Sequence, residues 1–440
     1  MNAEFENKLK SGSMKVGIIG LGYVGLPLAH VFWRAGFPTI GFDIDKRKVD
    51  QLNSSRSYIK DFPADVIAKM NASGTFSATA DFSRLKDADA VLICVPTPLT
   101  HAREPDLSFV ISTSETISEW LKPGVLVVLE STTYPGTTLE VVRPILEKSG
   151  LSADTDFMLG FSPEREDPGS GIDARTITKI VGGIDERSRA AIEAFYGRAF
   201  EKVYAVRDTQ TAEAVKITEN VFRAVNIALV NELKVVYARM GIDIWEVIEA
   251  AKTKPYGYMP FYPGPGLGGH CIPIDPFYLS WKARQHGIET KFIELAGEIN
   301  RAMPRHVIDV MDRSLRAQTG KALKNARVLV VGVAYKKNID DTRESPALYI
   351  MDMLREEGSN VAFYDPYCPV IPDTREHGGL AGMQSIAWDK QSLAEFDVAV
   401  IVTDHDGVDY SLLADSVGVV IDTRNATKRI AAGRKNVIMA

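Results

Sequence analysis

The sequence predicts an α/β protein with two doubly wound, mostly parallel sheets joined by a long helix and a helical middle segment. Short apolar runs of strand length alternate with segments of helix length in the first half of the chain and again after Ala326. Between them, from Thr209 to about Met240, apolar residues recur at helical spacing without Gly or Pro. A chain of 440 residues is also too long for one compact core, which favours more than one domain.

The strands and helices follow one another in the order that two α/β units require. A first strand, KVGIIG (Lys15–Gly20), precedes the helix GLPLAHVFWRAG, and a second strand, PTIGFDID, ends at Asp43 and Asp45. Further strands are expected at AVLICVP, VLVVLES and FMLGFSPE. After the long helix, helical stretches continue to about Ala317, and a new series begins at ARVLVVGVAY with the later strands NVAFYDP, DVAVIVTD and VGVVIDTRN. Ligands of such sheets bind at the carboxyl ends of the strands, so the residues there carry most information about function.

Composition and charge exclude several functional classes. The chain is 45% hydrophobic and 25% charged with a net charge of −6, which is typical of a globular protein and argues against nucleic acid or an anionic membrane as partner. No apolar run reaches the length of a membrane-spanning helix, and the polar start MNAEFENKLKSGS has no apolar signal core. Three widely spaced cysteines without a CxxC pair predict neither a disulfide framework nor a metal site, and they favour a reducing cytoplasm.

The first strand runs into a glycine pattern, GLGYVG, with Gly20, Gly22 and Gly25 at G-x-G-x-x-G spacing. These glycines permit a tight turn, close approach of a pyrophosphate, and packing of helix on strand, while the helix N-terminus offers free N–H groups to phosphates. Asp43 ends the next strand, where a carboxylate binds adenosine ribose hydroxyls and repels a 2′-phosphate. The pattern therefore predicts NAD binding, although cationic residues such as Lys48 follow closely and leave NADP as the alternative.

Lys216 and Asn220, in TAEAVKITEN, are four residues apart on the long helix and project from one face. Such a pair is usually part of a solvated surface. Their neighbours Ala214, Val215 and Ile217 are apolar, however, which indicates a buried helix in which a lysine must be paired or functional. An ammonium group beside a carboxamide can stabilise a developing oxyanion.

Cys271 lies in FYPGPGLGGHCIPIDP, a loop rich in Gly and Pro that forms neither helix interior nor central strand. Its glycines let the backbone come very close to a neighbour, its prolines hold the loop rigid, and Asp275 lies near enough to orient the thiol or a water beside it. A pairing of Cys271 with the adjacent His270 is the less favoured interpretation. Cys94 is expected to be an apolar residue of a strand, and Cys368 a turn thiol without a role.

Polar residues end two other strands. Glu164 follows FMLGF, and Ser131 and Thr132 follow VLVVLE. Ser and Thr at such positions are commonly turn or helix-cap residues. In a dinucleotide-binding fold these positions also face the substrate cleft, so they are candidate site residues.

The ordered set of these motifs resembles the UDP-glucose/GDP-mannose dehydrogenase superfamily, the NAD-dependent nucleotide-sugar 6-dehydrogenases. The matching segments cover nearly the whole chain after the lead-in. They are GLGYVGLP, CVPTP, STTYPGT, SPERE, AEAVKITEN, GPGLGGHC and YKKNIDDTRES. The resemblance implies two Rossmann-like domains, with an N-terminal extension over 1–13, an NAD-binding domain over 14–208, a central helical and dimerisation domain over 209–317, and a UDP-sugar-binding domain over 318–440. It also implies a homodimer built across the long helix.

The resemblance carries roles onto individual residues. Cys271 is the expected nucleophile, Lys216 and Asn220 bind the oxyanion, Glu164 is the base or acid of thioester hydrolysis, and Thr132 and Asp275 organise a catalytic water. The expected cofactor-binding residues are Gly20, Gly22, Tyr23, Val24, Gly25, Asp43, Lys48, Pro96, Thr97, Ser131, Thr132 and Arg343. The expected substrate-binding residues are Glu164, Arg165, Lys216, Asn220, Tyr262, Gly266, Gly268 and Lys337, with Arg343 a substrate contact as well.

The sequence departs from the UDP-glucose pattern, which typically has asparagine before the PE dipeptide and FGGSC with a lysine before the aspartate. Here Ser162 precedes Pro163, the loop reads LGGHCIPID, and Ile274 precedes Asp275. These variants resemble the branch that oxidises UDP-N-acetylhexosamines for polysaccharide biosynthesis, especially UDP-N-acetylglucosamine. UDP-glucose, UDP-N-acetylmannosamine and UDP-N-acetylgalactosamine are the alternative substrates. A two-electron dehydrogenase of the β-hydroxyacid or 6-phosphogluconate type would not need the loop cysteine. A dinucleotide-sensing protein would need neither this cysteine nor Lys216.

Overall fold

The structure, a computed structural model, describes residues 3–60, 62–100, 104–165, 171–269, 272–374, 376–431 and 433–440. The chain forms two compact units. The first comprises Met1–Glu219 with Phe277–Ile288, and the second comprises Asn220–Pro276 with Glu289–Ala440. Within the described ranges, no helix is both long enough and apolar enough to cross a membrane.

The first unit is built on an eight-stranded sheet. Its strands are β1 (Val16–Ile19), β2 (Thr39–Phe42), β3 (Phe76–Thr79), β4 (Ala90–Ile93), β5 (Leu126–Leu129), β6 (Met158–Phe161), β7 (Lys179–Gly183) and β8 (Val203–Ala205). They lie in the order β3-β2-β1-β4-β5-β6-β7-β8. All neighbouring pairs are parallel except β6 and β7, where Gly160 pairs with Gly183 and Phe161 with Gly182 in antiparallel register. The predicted parallel sheet is therefore confirmed, with one reversal near its edge.

Helices that precede Thr209 accompany these strands in the first unit. They are α1 (Ala3–Ser11), α2 (Gly25–Arg34), α3 (Lys46–Asn53), α4 (Ala64–Ala72), α5 (Ser108–Trp120), α6 (Arg143–Leu146) and α7 (Glu186–Tyr196). Asp45, expected to end a strand, is instead the N-cap of α3, where its carboxylate accepts the Arg47 N–H. The predicted N-terminal extension forms α1, which buries Phe5 and Leu9 in the core of this unit.

The middle of the chain is helical, as predicted. Its helices are α8 (Thr209–Met240), α9 (Ile244–Ala251), α10 (Asp275–Gln285) and α11 (Lys291–Thr319). The long helix α8 has the bounds that its apolar spacing predicted, because no Gly or Pro interrupts it. Pro304 lies inside α11 and is buried there. A proline ring has no N–H, so the carbonyl of Asn300 loses its usual helical donor at this point.

The second unit contains a five-stranded, fully parallel sheet. Its strands are β9 (Arg327–Val331), β10 (Asn360–Tyr364), β11 (Val398–Ile401), β12 (Val419–Asp422) and β13 (Val437–Met439), in the order β10-β9-β11-β12-β13. Helices α12 (Pro346–Glu356), α13 (Lys390–Leu393) and α14 (Tyr410–Ser416) accompany them. Ser345 caps α12 through the Ala347 N–H, and Pro346 occupies the first helical position, where a missing N–H costs nothing.

Each sheet has apolar cores on its faces. In the first unit, the ring of Phe32 stacks on that of Phe195 with centroids 4.6 Å apart, and Tyr196 is fully buried beside them. Cys94, expected to be an apolar residue of a strand, lies directly after β4 and is half-buried against this core. Cys368, expected to be a turn thiol, is only 4% exposed and belongs to the core of the second unit. Its backbone N–H donates to Asp365 Oδ1 at 3.0 Å, which holds Cys368 close to the end of β10.

Candidate functional site

The three glycines between β1 and α2 have different surroundings. Gly20 has a positive φ of +91°, and a Cβ there would lie 2.6 Å from the carbonyl oxygen of Cys94. A Cβ on Gly25 would lie 1.9 Å from the carbonyl oxygen of Gly20. Gly22, in contrast, has no atom of the described residues within 4 Å of the position of a Cβ. Two glycines are therefore required by packing, and the third leaves open backbone where a pyrophosphate can approach.

The surroundings of this turn fit a dinucleotide. Helix α2 begins after Val24, whose apolar side chain does not cap the first N–H groups, so they remain suited to phosphate oxygens. Asp43 follows β2, and its carboxylate accepts hydrogen bonds from Leu21 N at 3.0 Å and Asp45 N at 2.9 Å. These bonds fix the carboxylate at the strand end, as expected for a ribose-binding group. Lys48 Nζ lies 3.4 Å from the same carboxylate.

Strands β4 and β5 bring the next predicted residues together. Ser131, two residues after β5, donates its hydroxyl to the carbonyl of Val95 at 2.7 Å. The side chain of Ser131 therefore holds the two strand ends against each other. Thr97 is buried, Thr132 is half-buried and Pro96 is exposed. All lie just beyond the carboxyl ends of adjacent strands, on the side of the sheet where ligands of this architecture bind.

Glu164 and Arg165 follow β6. The carboxylate of Glu164 accepts the backbone N–H of Arg165 at 2.6 Å. The Arg165 guanidinium contacts both oxygens of Glu219 on α8, at 2.6 and 3.3 Å, and donates to the carbonyl of Thr178 at 2.6 Å. Arg165, expected to bind substrate, is thus held in a bidentate ion pair.

A buried polar cluster next to Glu164 was missed from the sequence. Lys179, the first residue of β7, donates to Glu130 Oε2 at 2.7 Å and to the carbonyl of Pro163 at 3.1 Å. Its ammonium lies 3.8 Å from Glu164 Oε2. The other oxygen of Glu130 accepts the hydroxyl of Tyr196. The available signals were an acid that ends the apolar run VLVVLE and a lysine that opens the apolar run KIVGG.

Another missed residue anchors the segment after β5. Glu213, on the first turns of α8, is fully buried and accepts hydrogen bonds from Gly136 N at 2.6 Å and from Thr138 N at 2.9 Å and its hydroxyl at 2.7 Å. Burial raises the pKa of Glu213 to about 7, although these donors act in the opposite direction. Glu213 therefore holds the segment that follows Thr132.

The structure buries both predicted oxyanion-binding residues. Lys216 is 6% exposed and Asn220 is fully buried, one turn further along α8. In the second unit, Asn220 Nδ2 donates to Asp275 Oδ2 at 2.6 Å, and Asn220 Oδ1 accepts from Arg223. Two predicted site residues that lie 55 positions apart in the sequence are therefore in direct contact. Cys271 and His270 lie outside the described residues.

The glycines before Cys271 have protein neighbours within the second unit. A Cβ on Gly264 would lie 2.5 Å from Arg424 Nη1, one on Gly266 would lie 3.2 Å from the Cβ of Pro346, and one on Gly268 would lie 2.6 Å from the Cβ of Tyr335. The sequence predicted that these glycines let the backbone come close to a neighbour. The structure shows that the neighbour is the chain itself, because the loop packs directly on these residues.

The remaining predicted contacts of the second unit are already engaged with protein groups. Tyr262 is 42% exposed and donates its hydroxyl to Glu249 at 3.0 Å. Arg343 donates to Asp341 at 2.6 Å, while its carbonyl accepts from Gly269 N at 3.0 Å. The side chain of Lys337 is half exposed, and its ammonium lies 3.4 Å from Asp406.

A second group of missed residues lies beside the start of this loop. Asn231 on α8 accepts the N–H of Gly264 at 2.9 Å and donates to Asn300 of α11 at 2.9 Å. Lys234, one turn further, is 5% exposed, and its ammonium has no hydrogen-bond partner among the residues that the structure describes. Burial, with help from the charge of Arg424, lowers the pKa of Lys234 to about 7.

Three relatives share the chain over most of its length. A UDP-N-acetyl-D-glucosamine 6-dehydrogenase of Pseudomonas aeruginosa is 34% identical over 83% of this chain and 86% of its own. An NDP-N-acetyl-D-galactosaminuronic acid dehydrogenase of Ralstonia solanacearum is 33% identical over 95% and 97%. A UDP-N-acetyl-D-mannosamine dehydrogenase of Pyrococcus horikoshii is 33% identical over 96% and 97%, and a solved structure of such an enzyme from that organism superposes with a TM-score of 0.87, covering 97% of this chain and 99% of that one.

Three domains of one family match the chain in order. The NAD binding domain matches residues 14–200, the central domain matches 210–302, and the UDP binding domain matches 329–429. These matches agree with the glycine turn and Asp43 in the first unit, and they confirm the expected NAD cofactor. They also agree with the two α/β sheets and the helical middle of the chain. The chain therefore belongs to the UDP-glucose/GDP-mannose dehydrogenase family of NAD-dependent enzymes.

Proposed function

We propose that this protein oxidises the C6 hydroxymethyl group of a UDP-N-acetylhexosamine to a carboxylate, a four-electron reaction that uses two NAD+. The observation that carries the proposal is the buried hydrogen bond from Asn220 to Asp275. It joins the amide of the proposed oxyanion site to a carboxylate four residues after Cys271. Lys216, four residues before Asn220 on α8, is buried as well. A two-electron dehydrogenase has no need of a nucleophilic thiol at this place.

In the proposed reaction the thiol of Cys271 retains the aldehyde. When bound, NAD+ accepts a hydride from the sugar C6 at each of the two oxidations. After the first, the Cys271 sulfur adds to the aldehyde carbon, forming a C–S bond and a thiohemiacetal. Loss of the second hydride gives a thioester, and water then attacks the carbonyl carbon, breaks the C–S bond and returns the thiol. Glu164 takes the proton from this water.

Lys216 and Asn220 are the proposed hydrogen-bond donors to the oxyanions of this sequence. Both are buried, so their interaction with a developing negative charge is weakly screened by water. Thr132 and Asp275 are proposed to orient the attacking water. Removing a single oxyanion donor typically slows a reaction by about 10² to 10³.

UDP-N-acetylglucosamine is the substrate that we propose, for the biosynthesis of a surface polysaccharide. Ser162 before Pro163 and the loop HCIPID support an N-acetylated sugar over glucose. Relatives named for gluco, manno and galacto sugars are similarly distant from this chain, so the two epimers of the proposed sugar are the alternatives.

The experiment is an assay of NADH formation with UDP-N-acetylglucosamine, its manno and galacto epimers, and UDP-glucose. We expect two NADH for each uronic acid, and turnover that is lost in Cys271→Ser while NAD binding is retained. The matched control is Cys94→Ser. One NADH per sugar with release of aldehyde, or wild-type turnover by Cys271→Ser, would refute the covalent four-electron scheme.

The role of Glu164 has a separate test. Glu164→Gln retains the shape of the side chain but not the base, so the thioester should accumulate as a mass increase on Cys271 during turnover. An unmodified Cys271 in this variant, with hydrolysis at the wild-type rate, would show that another group activates the water.

We also propose that the protein is a homodimer formed through α8. Phe222, Leu229 and Val236 recur every seven residues on one face of this helix and are each close to half exposed, at 48%, 49% and 45%. On α11, Phe292 and Leu295 are 77% and 53% exposed. Apolar stripes of this kind mark protein interfaces.

Leu229→Glu tests the dimer because it places a charge in the middle of the apolar stripe. We expect this variant to sediment as a monomer, whereas Ala238→Glu, on the opposite face of α8, should sediment as the wild type. A monomeric wild-type protein, or a dimer that Leu229→Glu leaves intact, would refute the proposed interface.

A further inference from the structure

The reversal of direction between β6 and β7 gives Lys179 an unusual position. In this antiparallel pair, Gly160 faces Gly183 and Phe161 faces Gly182. Continuing the same register past the end of β6 puts Lys179 opposite Glu164. The first residue of β7 thus lies at the edge of the sheet where the parallel strands β5 and β6 end. A parallel β7 would have carried its first residue to the opposite edge.

Lys179 is fixed on three sides within the first unit. It donates to Glu130 at 2.7 Å and to the carbonyl of Pro163 at 3.1 Å, and its ammonium is 3.8 Å from Glu164 Oε2. The hydroxyl of Tyr196 donates to Glu130 from the other side. Lys179 is 3% exposed and Glu130 is fully buried, whereas the side chain of Glu164 is 15% exposed. The cluster therefore contacts Glu164 from the buried side and leaves part of its side chain accessible to water.

The two carboxylates of this cluster, Glu130 and Glu164, favour the charged form of Lys179. Burial acts to lower the pKa of Lys179, but the charges of Glu130 and Glu164 outweigh it, and the pKa is raised. Burial raises the pKa of Glu130 to about 6, while the charge and hydrogen bond of Lys179 act in the opposite direction. One cation thus faces two carboxylates, and it binds Glu130 more closely than Glu164. The ammonium of Lys179 attracts and orients the Glu164 carboxylate across 3.8 Å, without a direct hydrogen bond between them.

We propose that Lys179 is a positioning residue for the hydrolytic step, holding the Pro163 carbonyl and the Glu164 carboxylate so that Glu164 faces the attacking water. Glu130 and Tyr196 act on Lys179, not on substrate. The inference rests on the proposed function, because it assigns a support to the base of that reaction. The role of Lys179 concerns the hydrolysis of the thioester and not the two oxidations.

The test uses the paired variant Lys179→Met/Glu130→Gln. Lys179→Met alone would leave Glu130 buried without its cation, which commonly costs several kcal/mol and risks unfolding. The paired variant removes both fully buried charges and leaves the charge of the partly exposed Glu164, and the carboxamide that replaces the Glu130 carboxylate still accepts the hydroxyl of Tyr196. We expect a folded protein with the wild-type KM for the UDP-sugar within about twofold. We expect hydrolysis about tenfold slower or more, since a positioned base typically contributes about 10² or above, and a thioester that accumulates on Cys271.

The outcomes separate this inference from the proposed function. Glu164→Gln, measured in parallel, is the reference for a blocked hydrolysis. If Glu164→Gln accumulates thioester and the paired variant does not, Lys179 has only a structural role and the inference is wrong while the function stands. If neither accumulates it, the assignment of Glu164 fails and takes the inference with it. Tyr196→Phe, which keeps both charges, decides the question if the paired variant does not fold: we expect a few-fold slower hydrolysis, and an unchanged rate would overturn the inference.

A surface lysine of the same unit provides the matched control. Lys148 is 63% exposed and pairs with Glu115 at 3.5 Å. Lys148→Met should leave KM, hydrolysis and thioester level unchanged, because an exposed ion pair contributes little. A comparable thioester build-up in Lys148→Met would show that the effect of the paired variant is not specific to the cluster.

Discussion

Replacement of Lys234 by Met should stabilise the second unit, and by an amount that depends on pH. Lys234 lies on α8 and is buried, and its ammonium has no hydrogen-bond partner in the part of the chain that the structure describes. The charge of Arg424 opposes its protonation further, and the charge of Asp422 favours it less strongly. A methionine has a similar length, fills the same space and carries no charge.

The magnitude follows from the shift in pKa, from 10.5 to about 7. A difference of one in pKa corresponds to about 1.36 kcal/mol. Below pH 7, where Lys234 is protonated in the folded state, its burial therefore lowers the free energy of unfolding by roughly 4 to 5 kcal/mol. Because the unfolded chain binds the proton more tightly, stability rises as the pH increases from 7 towards 10.5, and the cost disappears above that value. At pH 8.5 about 3 kcal/mol of the cost remains.

The assay is urea unfolding of wild type and Lys234→Met at several pH values from 6 to 9.5, followed by tryptophan fluorescence. We expect the variant to unfold at higher urea, with the difference largest at or below pH 7 and shrinking as the pH rises. Lys148→Met, at an exposed position, should show no such difference. A variant that is less stable than the wild type, or a difference that does not change between pH 7 and 9, would show that the ammonium is compensated and that this reasoning is wrong.

Three further predictions concern single contacts. Gly22→Ala should fold as the wild type but bind NAD at least tenfold more weakly, whereas Gly25→Ala should lose stability as well, because its Cβ would meet backbone; calorimetric titration with NAD and thermal unfolding separate the two. Glu213→Ala should lower the free energy of unfolding by about 2 to 4 kcal/mol, since it leaves buried backbone donors without an acceptor, and denaturant unfolding measures this loss. Asn220→Asp should place a second carboxylate at hydrogen-bond distance from Asp275, so its stability should fall at pH 8 and recover towards pH 5, where one proton can be shared; a pH-independent effect would contradict the observed contact.

Local patterns were sufficient for the architecture. The unbroken apolar spacing from Thr209 to Met240 predicted α8 with the bounds that it has, because helix formation over that length depends on the spacing and on the absence of Gly and Pro. The strand, glycine turn, helix and terminal Asp43 predicted the dinucleotide-binding turn for the same reason. Each of these patterns is contained within a few tens of consecutive residues.

Contacts between distant segments were not predictable in this way. The cluster of Lys179, Glu130 and Tyr196 depends on the antiparallel pairing of β6 and β7, which no local pattern shows. The glycines of the loop before Cys271 illustrate the same limit. Their sequence showed that a close neighbour exists, but only the folded chain identified Tyr335, Pro346 and Arg424 as that neighbour.

By itself, the sequence determined the two α/β units, the helical middle and the NAD-binding turn, because periodicity, glycine spacing and strand-end residues act over short range. Tertiary structure alone decided which charged residues are buried together. Lys179 and Lys234 both occur in apolar segments, yet Lys179 is paired with a buried carboxylate, whereas the ammonium of Lys234 has no hydrogen-bond partner within the described ranges. The difference arises from strand order and packing, which bring residues far apart in the chain within a few ångströms of each other.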